Sequence, residues 1–310
     1  TAAGSLVVGV YSKGDTIDFA FRGSRMHPLG QGSIATSAIE RMLKLPQTTL
    51  GAYITTVDWT ALLGQQNEAT LGTLARYARL FMELSKADAD SDAAPPRLGR
   101  HLIVAWGQDF SASGSTPQVA ALVETPDALL VMQSAKRVAA SLRRIISTLE
   151  LRDVSADLKV TESTHLGVAI SSISLRAFAE KSRFPLVKAL AVLEPSWAAN
   201  GDWFIVTLTP DHLSQILDAQ IGFLGNLADQ RDARYLREPP QQNVSAAVLQ
   251  GSLASSTLQR WGKSLRDANA EGMFQQVWQP DRSADASGAR LGNHGLVVMT
   301  TSGDGNTFVV

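Results

Sequence analysis

DWFIVTLTPDHLSQILDAQI, residues 202–221, is the stretch on which the fold turns. Its first half is a short apolar strand. Thr209 then supplies a side-chain oxygen that can accept an orphan helix N–H, and Pro210 loses nothing by lacking a donor at the first helical position. A strand running directly into a capped amphipathic helix predicts a helix laid on a sheet. Three other stretches have the same form. LGAYITTVDWTALL (50–63) has Asp58 as its cap. DALLVMQSAKRVAASLRRIISTL (127–149) has Ser134, and SAAVLQGSLASSTLQRWGKSL (245–265) has Ser255 or Ser256. In the second of these, Val138, Leu142, Ile145, Ile146 and Leu149 recur at helical spacing and share one face. The units are not close repeats, which argues against a solenoid.

Outward from these units, both ends of the chain read as hairpins. LVVGVYSKGDTIDFAF (6–21) is two strands joined at Lys13-Gly14-Asp15, with Gly14 free to take positive φ. GLVVMTTSGDGNTFVV (295–310) has the same form, and it stops inside an apolar strand, as a chain continuing beyond Val310 would. NEATLGTLARYARLFMELSK (67–86) predicts a longer helix. It precedes DADSDAAPPRLGR, whose aspartates, prolines and Gly99 mark a solvated connection. A boundary there gives an N-terminal α/β lobe over 1–93 and a second lobe over 94–310. The expected fold class is α+β, with mixed α/β as the alternative: largely antiparallel sheet covered by amphipathic helices, with recurring strand–capped-helix units and a hairpin at each end.

The composition narrows the function classes. A chain of 310 residues with 45% hydrophobic and 18% charged residues can bury a large core, roughly 75% of its unfolded surface. With 28 basic against 29 acidic side chains, it has no global field to attract nucleic acid or an anionic bilayer. The chain has no cysteine, which removes disulfides, thiolate metal sites and thiol nucleophiles; that absence fits either compartment, and a chain without thiols is at ease outside the cytoplasm. No apolar run is long enough to span a membrane within this segment. The chain begins at Thr1, so a signal peptide or anchor upstream is compatible with it.

Each candidate site has a plain structural alternative. Gly30 and Gly32 in MHPLGQGSIATSAIERML (26–43) precede an expected helix over 33–45, and Asp58 follows the next strand about where a ribose-binding acid would lie. The residues before them, Ser24 to Leu29, are polar and proline-broken, so a loop leading to a Ser33-capped helix is the favoured reading over a dinucleotide turn. His101, His165 and His294 each lie at or next to the start of an apolar strand. If those strands were adjacent, three imidazoles with an open fourth position would suit zinc. Histidine is equally comfortable there as a loop-exposed residue.

The aspartates at 88, 90 and 92 resemble a calcium loop but have Ala93 and Gly99 where glycine and glutamate are required. G-x-S-x-G, H-E-x-x-H and S-x-x-K patterns are absent. His212 reads as a surface residue in the first turn of its helix. Lys136, Arg137, Arg143 and Arg144 read as a solvated helix face. Trp197 and Trp203, flanking Asn200-Gly201, read as core or as a binding platform.

These readings point to a non-catalytic, extracytoplasmic, periplasmic-type bacterial domain that binds another protein or envelope component, or serves as a structural module. No cofactor is expected. The alternatives are a metal-assisted hydrolase using His101, His165 and His294, and a dinucleotide-binding protein using Gly30, Gly32 and Asp58.

Overall fold

The structure, a computed structural model, describes residues 6–13, 16–23, 32–60, 96–107, 118–148, 158, 160–181, 193–230, 243–250 and 296–302. Eleven strands and four α-helices lie in these residues, and the fold is mixed α+β. β1 (Leu6–Lys13) and β2 (Thr16–Gly23) form a two-stranded antiparallel hairpin in register from Lys13↔Thr16 to Leu6↔Gly23, as the opening sequence predicts.

The remaining strands form one antiparallel sheet. They are β3 (Thr49–Thr56), β4 (His101–Gly107), β5 (Gln118–Glu124), β6 (Val160–His165), β7 (Val168–Ile173), β8 (Ser196–Asn200), β9 (Trp203–Thr207), β10 (Asn243–Gln250) and β11 (Leu296–Ser302). Their order across the sheet is β11-β10-β3-β4-β5-β9-β8-β7-β6. The expected lobe boundary at 93/94 falls outside the described residues, while β3 and β4 on either side of it pair directly.

Cross-strand register arranges one face of this sheet in rows. Ala246, Ile54, Ile103, Leu122, Ile205, Ala198 and Ile170 are successive partners across seven strands, and every one of them is at most 2% exposed. Fully burying each large side chain of that row contributes roughly 1.5–3 kcal/mol. The next row, from Val248, runs Ala52, Ala105, Ala120, Thr207, Ser196 and Ser172. Its small residues leave room for covering helices, and its buried hydroxyls satisfy one another: Ser172 and Ser196 Oγ lie 2.9 Å apart.

Helices α1 (Thr36–Leu43) and α4 (Pro210–Ile221) cover this face, with Ile39, Met42, Leu43, Leu213, Ile216 and Leu217 packed on the rows. On the opposite face, α2 (Ala128–Thr148) packs Val131, Ala135 and Ala139 against Trp197 and Phe204. Trp197 and Trp203 therefore lie on opposite faces, both buried. A short helix α3 (Arg176–Lys181) follows β7.

Thr209 caps α4 by accepting the His212 N–H, with Pro210 at the start and Gly222 at φ +85° closing the helix. Other expectations are corrected. The helix expected over 33–45 is Thr36–Leu43, and its N-cap is Ala35, with no side-chain cap, rather than Ser33. The Ala35 N–H is instead taken by His101. The stretch 127–149 contains no strand over its described residues, 127–148. Ser134 is buried within α2 and caps nothing, because the strand of that unit is β5, and Thr125-Pro126-Asp127 ends it. Thr125 Oγ1 accepts the Asp127 N–H in that turn.

His212 is buried, not superficial: its place in the capped first turn aims it at the sheet beside Gly107. At the C-terminal end, β11 pairs with β10, and the second strand expected after it lies outside the described residues. So do the helix expected over 67–86, the aspartates at 88, 90 and 92, and Ser255 and Ser256.

Candidate functional site

One end of the sheet replaces apolar rows with a polar one. There, beyond Ile54–Ile103–Leu122–Ile205–Ala198, stand Thr56, His101, Glu124, Trp203 and Asn200. Thr56 pairs with His101, while Trp203 pairs with both Glu124 and Asn200. Directly opposite residues in a sheet present their side chains together. This register alone brings residues from four separated segments to one edge, and α1 and α4 lie over it.

His101 is held from both sides. The Glu124 carboxylate lies 2.7 Å from Nδ1, and the Ala35 N–H donates to Nε2 over 3.1 Å. An imidazole that accepts at Nε2 carries its proton on Nδ1, which fixes the tautomer. The same carboxylate oxygen also accepts the backbone N–H groups of Arg100 and His101. His101 therefore ties α1 to the sheet. His165, at the end of β6, sits 2.8 Å from Asp218 of α4 through Nε2.

His101 on β4 and His165 on β6 lie at the same end of the sheet, but five strand spacings apart, roughly 24 Å. The structure does not bring these two together, and His294 lies outside the described residues. Among the described residues no cluster of three metal-ligating side chains occurs. Gly30 is likewise outside them. Gly32, at φ +89°, leads into α1 and its carbonyl accepts from Thr56 Oγ1 at 3.5 Å. Asp58 follows β3, two residues beyond the Thr56 that contacts Gly32.

Sequence reasoning missed the centre of this edge, Arg41. It lies on α1 between the buried Ile39 and Met42, and its guanidinium sits 5.9 Å from the Trp203 ring centroid. Nη2 donates to the Asn200 carbonyl over 3.2 Å, and Asn200 Nδ2 donates to Gln220 Oε1 of α4 over 2.6 Å. Arg41 Nε and Gln220 Nε2 are both buried and, among the described residues, have no hydrogen-bond partner. Among the described residues no carboxylate pairs with Arg41. Burial without a counter-charge lowers its pKa to about 10. The sequence signal was a lone basic residue bordering the apolar stripe of α1.

The same end carries exposed apolar side chains. β6 and β7 are joined by Leu166-Gly167, with φ +52° and +78°, a left-handed pair of the type I′ hairpin kind. Leu166 at this tip is exposed, as are Ile221 and Phe223 where α4 ends, and Phe223 is 76% exposed. His165 bonds Asp218, which shares a helix face with Ile221, and the Phe223 N–H donates to the Asp218 carbonyl. The tip and the helix end are thereby neighbours. Leu129 and Leu130, exposed at the start of α2, follow the end of β5 at the same edge.

The sequence matches no protein-family model, no curated protein and no solved structure.

Proposed function

We propose that this chain is a non-catalytic, extracytoplasmic bacterial-type domain that binds a partner protein, and that it docks through the sheet end carrying Leu166, Ile221 and Phe223. The observation that carries the reading is Leu166. A β-hairpin tip with two left-handed residues is normally built from asparagine and glycine, and a leucine there costs about 1–2 kcal/mol. Such strain persists where a side chain is needed for something other than the fold. Here that side chain projects into solvent beside two further exposed apolar residues, the pattern of a contact surface.

The histidines support a non-catalytic role. His101 is engaged at both ring nitrogens and His165 is bonded to Asp218, so each already has a positioning task. Burial pushes the pKa of His212 down to about 4. The cysteine-free composition supports an extracytoplasmic address.

The test is site-specific photo-crosslinking in the source cells, with a benzophenone amino acid placed at Leu166 or Phe223 and, as control, at Ala140, which is exposed midway along α2. The reading predicts one protein adduct common to 166 and 223 and lacking at 140. Adducts equal at all three positions, or none, would contradict it.

A further inference from the structure

We infer that Arg41, Asn200, Gln220 and Trp203 form a binding site for a carboxylate. A guanidinium is a fork of donors, and a buried one is normally met by an anion or by several oxygens. Among the described residues Arg41 meets only the Asn200 carbonyl and the face of Trp203, and its buried Nε–H has no acceptor there. A second orphan donor, Gln220 Nε2, belongs to the same cluster, because Asn200 bonds Arg41 through its carbonyl and Gln220 through its side chain.

Two unsatisfied buried donors joined through one residue, one of them cationic, call for a ligand with two acceptor oxygens and negative charge. A planar carboxylate supplies both, and the bidentate match with arginine makes it a better partner than a spherical anion. Arg41 is only partly covered and the neighbouring β8–β9 turn at Gly201 and Asp202 is exposed, so the cluster lies next to the solvent-facing sheet end, and a ligand would reach its two buried donors by displacing that turn.

The inference stands on this cluster alone, and Ile221, next in sequence to Gln220, suggests the source: a carboxylate carried on the partner's own chain. The probes are acetate and N-acetyl-alanyl-leucine with its free C-terminal carboxylate, each titrated into the full chain at constant ionic strength. The readouts are the Arg41 Nε–H resonance and the melting temperature. A saturable downfield shift of that resonance and a rise of a few degrees are expected, with affinity about tenfold weaker in Gln220→Leu, the loss of one hydrogen bond to a charged group.

Tighter binding of the dipeptide than of acetate identifies a protein-borne carboxylate, and equal binding identifies a free one. No saturable shift with either probe, or an equal shift with sulfate titrated as a control anion, overturns the inference. Crosslinking at Phe223 without any carboxylate response would leave the docking surface standing and remove only this site.

Discussion

His212 turns burial into a pH dependence. Desolvation lowers its pKa from 6.5 to about 4, only partly opposed by a hydrogen bond to the Val119 backbone. Protonation is therefore easier in the unfolded chain than in the folded one. The stability tied to the neutral ring is fully present above pH 6.5 and is lost as pH falls toward 4, by up to roughly 3 kcal/mol. Urea unfolding of the wild type against His212→Gln between pH 7 and 4 should show a shallower decline in the variant. Parallel curves would assign the acid sensitivity elsewhere.

Gly51 lies on β3 directly opposite Trp106. A Cβ on it would sit 2.1 Å from Cζ2 of Trp106, its partner across β3 and β4, so the indole occupies the space a side chain would need. Gly51→Ala should cost about 1–3 kcal/mol in denaturant unfolding, and less in a Trp106→Leu background, where the ring is gone. An additive pair would contradict the packing described.

At the scale of elements, what could be read from the sequence depended on how local its cause was. Thr209-Pro210 announced α4 because a cap and a fixed φ act within one turn. Lys13-Gly14-Asp15, read in the sequence as a turn, announced the β1–β2 hairpin that pairs Lys13 with Thr16. Ala128 to Met132 misled, since a continuous apolar run has neither the helical nor the alternating period, and only the Thr125 turn and the packing on Trp197 decide for helix. Ser33 misled because a tertiary contact, His101 to the Ala35 N–H, replaced a local cap.

Leu166→Gly removes a side chain from left-handed backbone and should raise stability by about 1 kcal/mol while weakening partner binding. A loss of stability would show that Leu166 serves the fold rather than the surface.

For the whole molecule, strand order is what makes the site, and strand order was not legible. His101 and His165 both stand by sequence beside apolar strands, yet four strands separate them. Arg41 and Asn200 are 159 residues apart and meet because α1, packed on β3, extends the Arg41 side chain to the end of β8. Neither fact is encoded in spacing. The β1–β2 hairpin and the Thr209-capped helix were legible in local sequence, whereas the meeting of Arg41, Trp203, Asn200 and Gln220 follows from strand order together with the packing of α1 and α4 on the sheet.

The exposed apolar side chains belong to the same consequence, since the β5–α2 turn, the β6–β7 tip and the end of α4 all come to one edge. The most direct measurement is calorimetric titration of the crosslinked partner, once purified, into wild-type chain and into an Ile221→Ser/Phe223→Ser variant of unchanged melting temperature. Docking at this edge predicts a loss of affinity of about thirtyfold or more, the size of a hot-spot truncation. An unchanged Kd would contradict it.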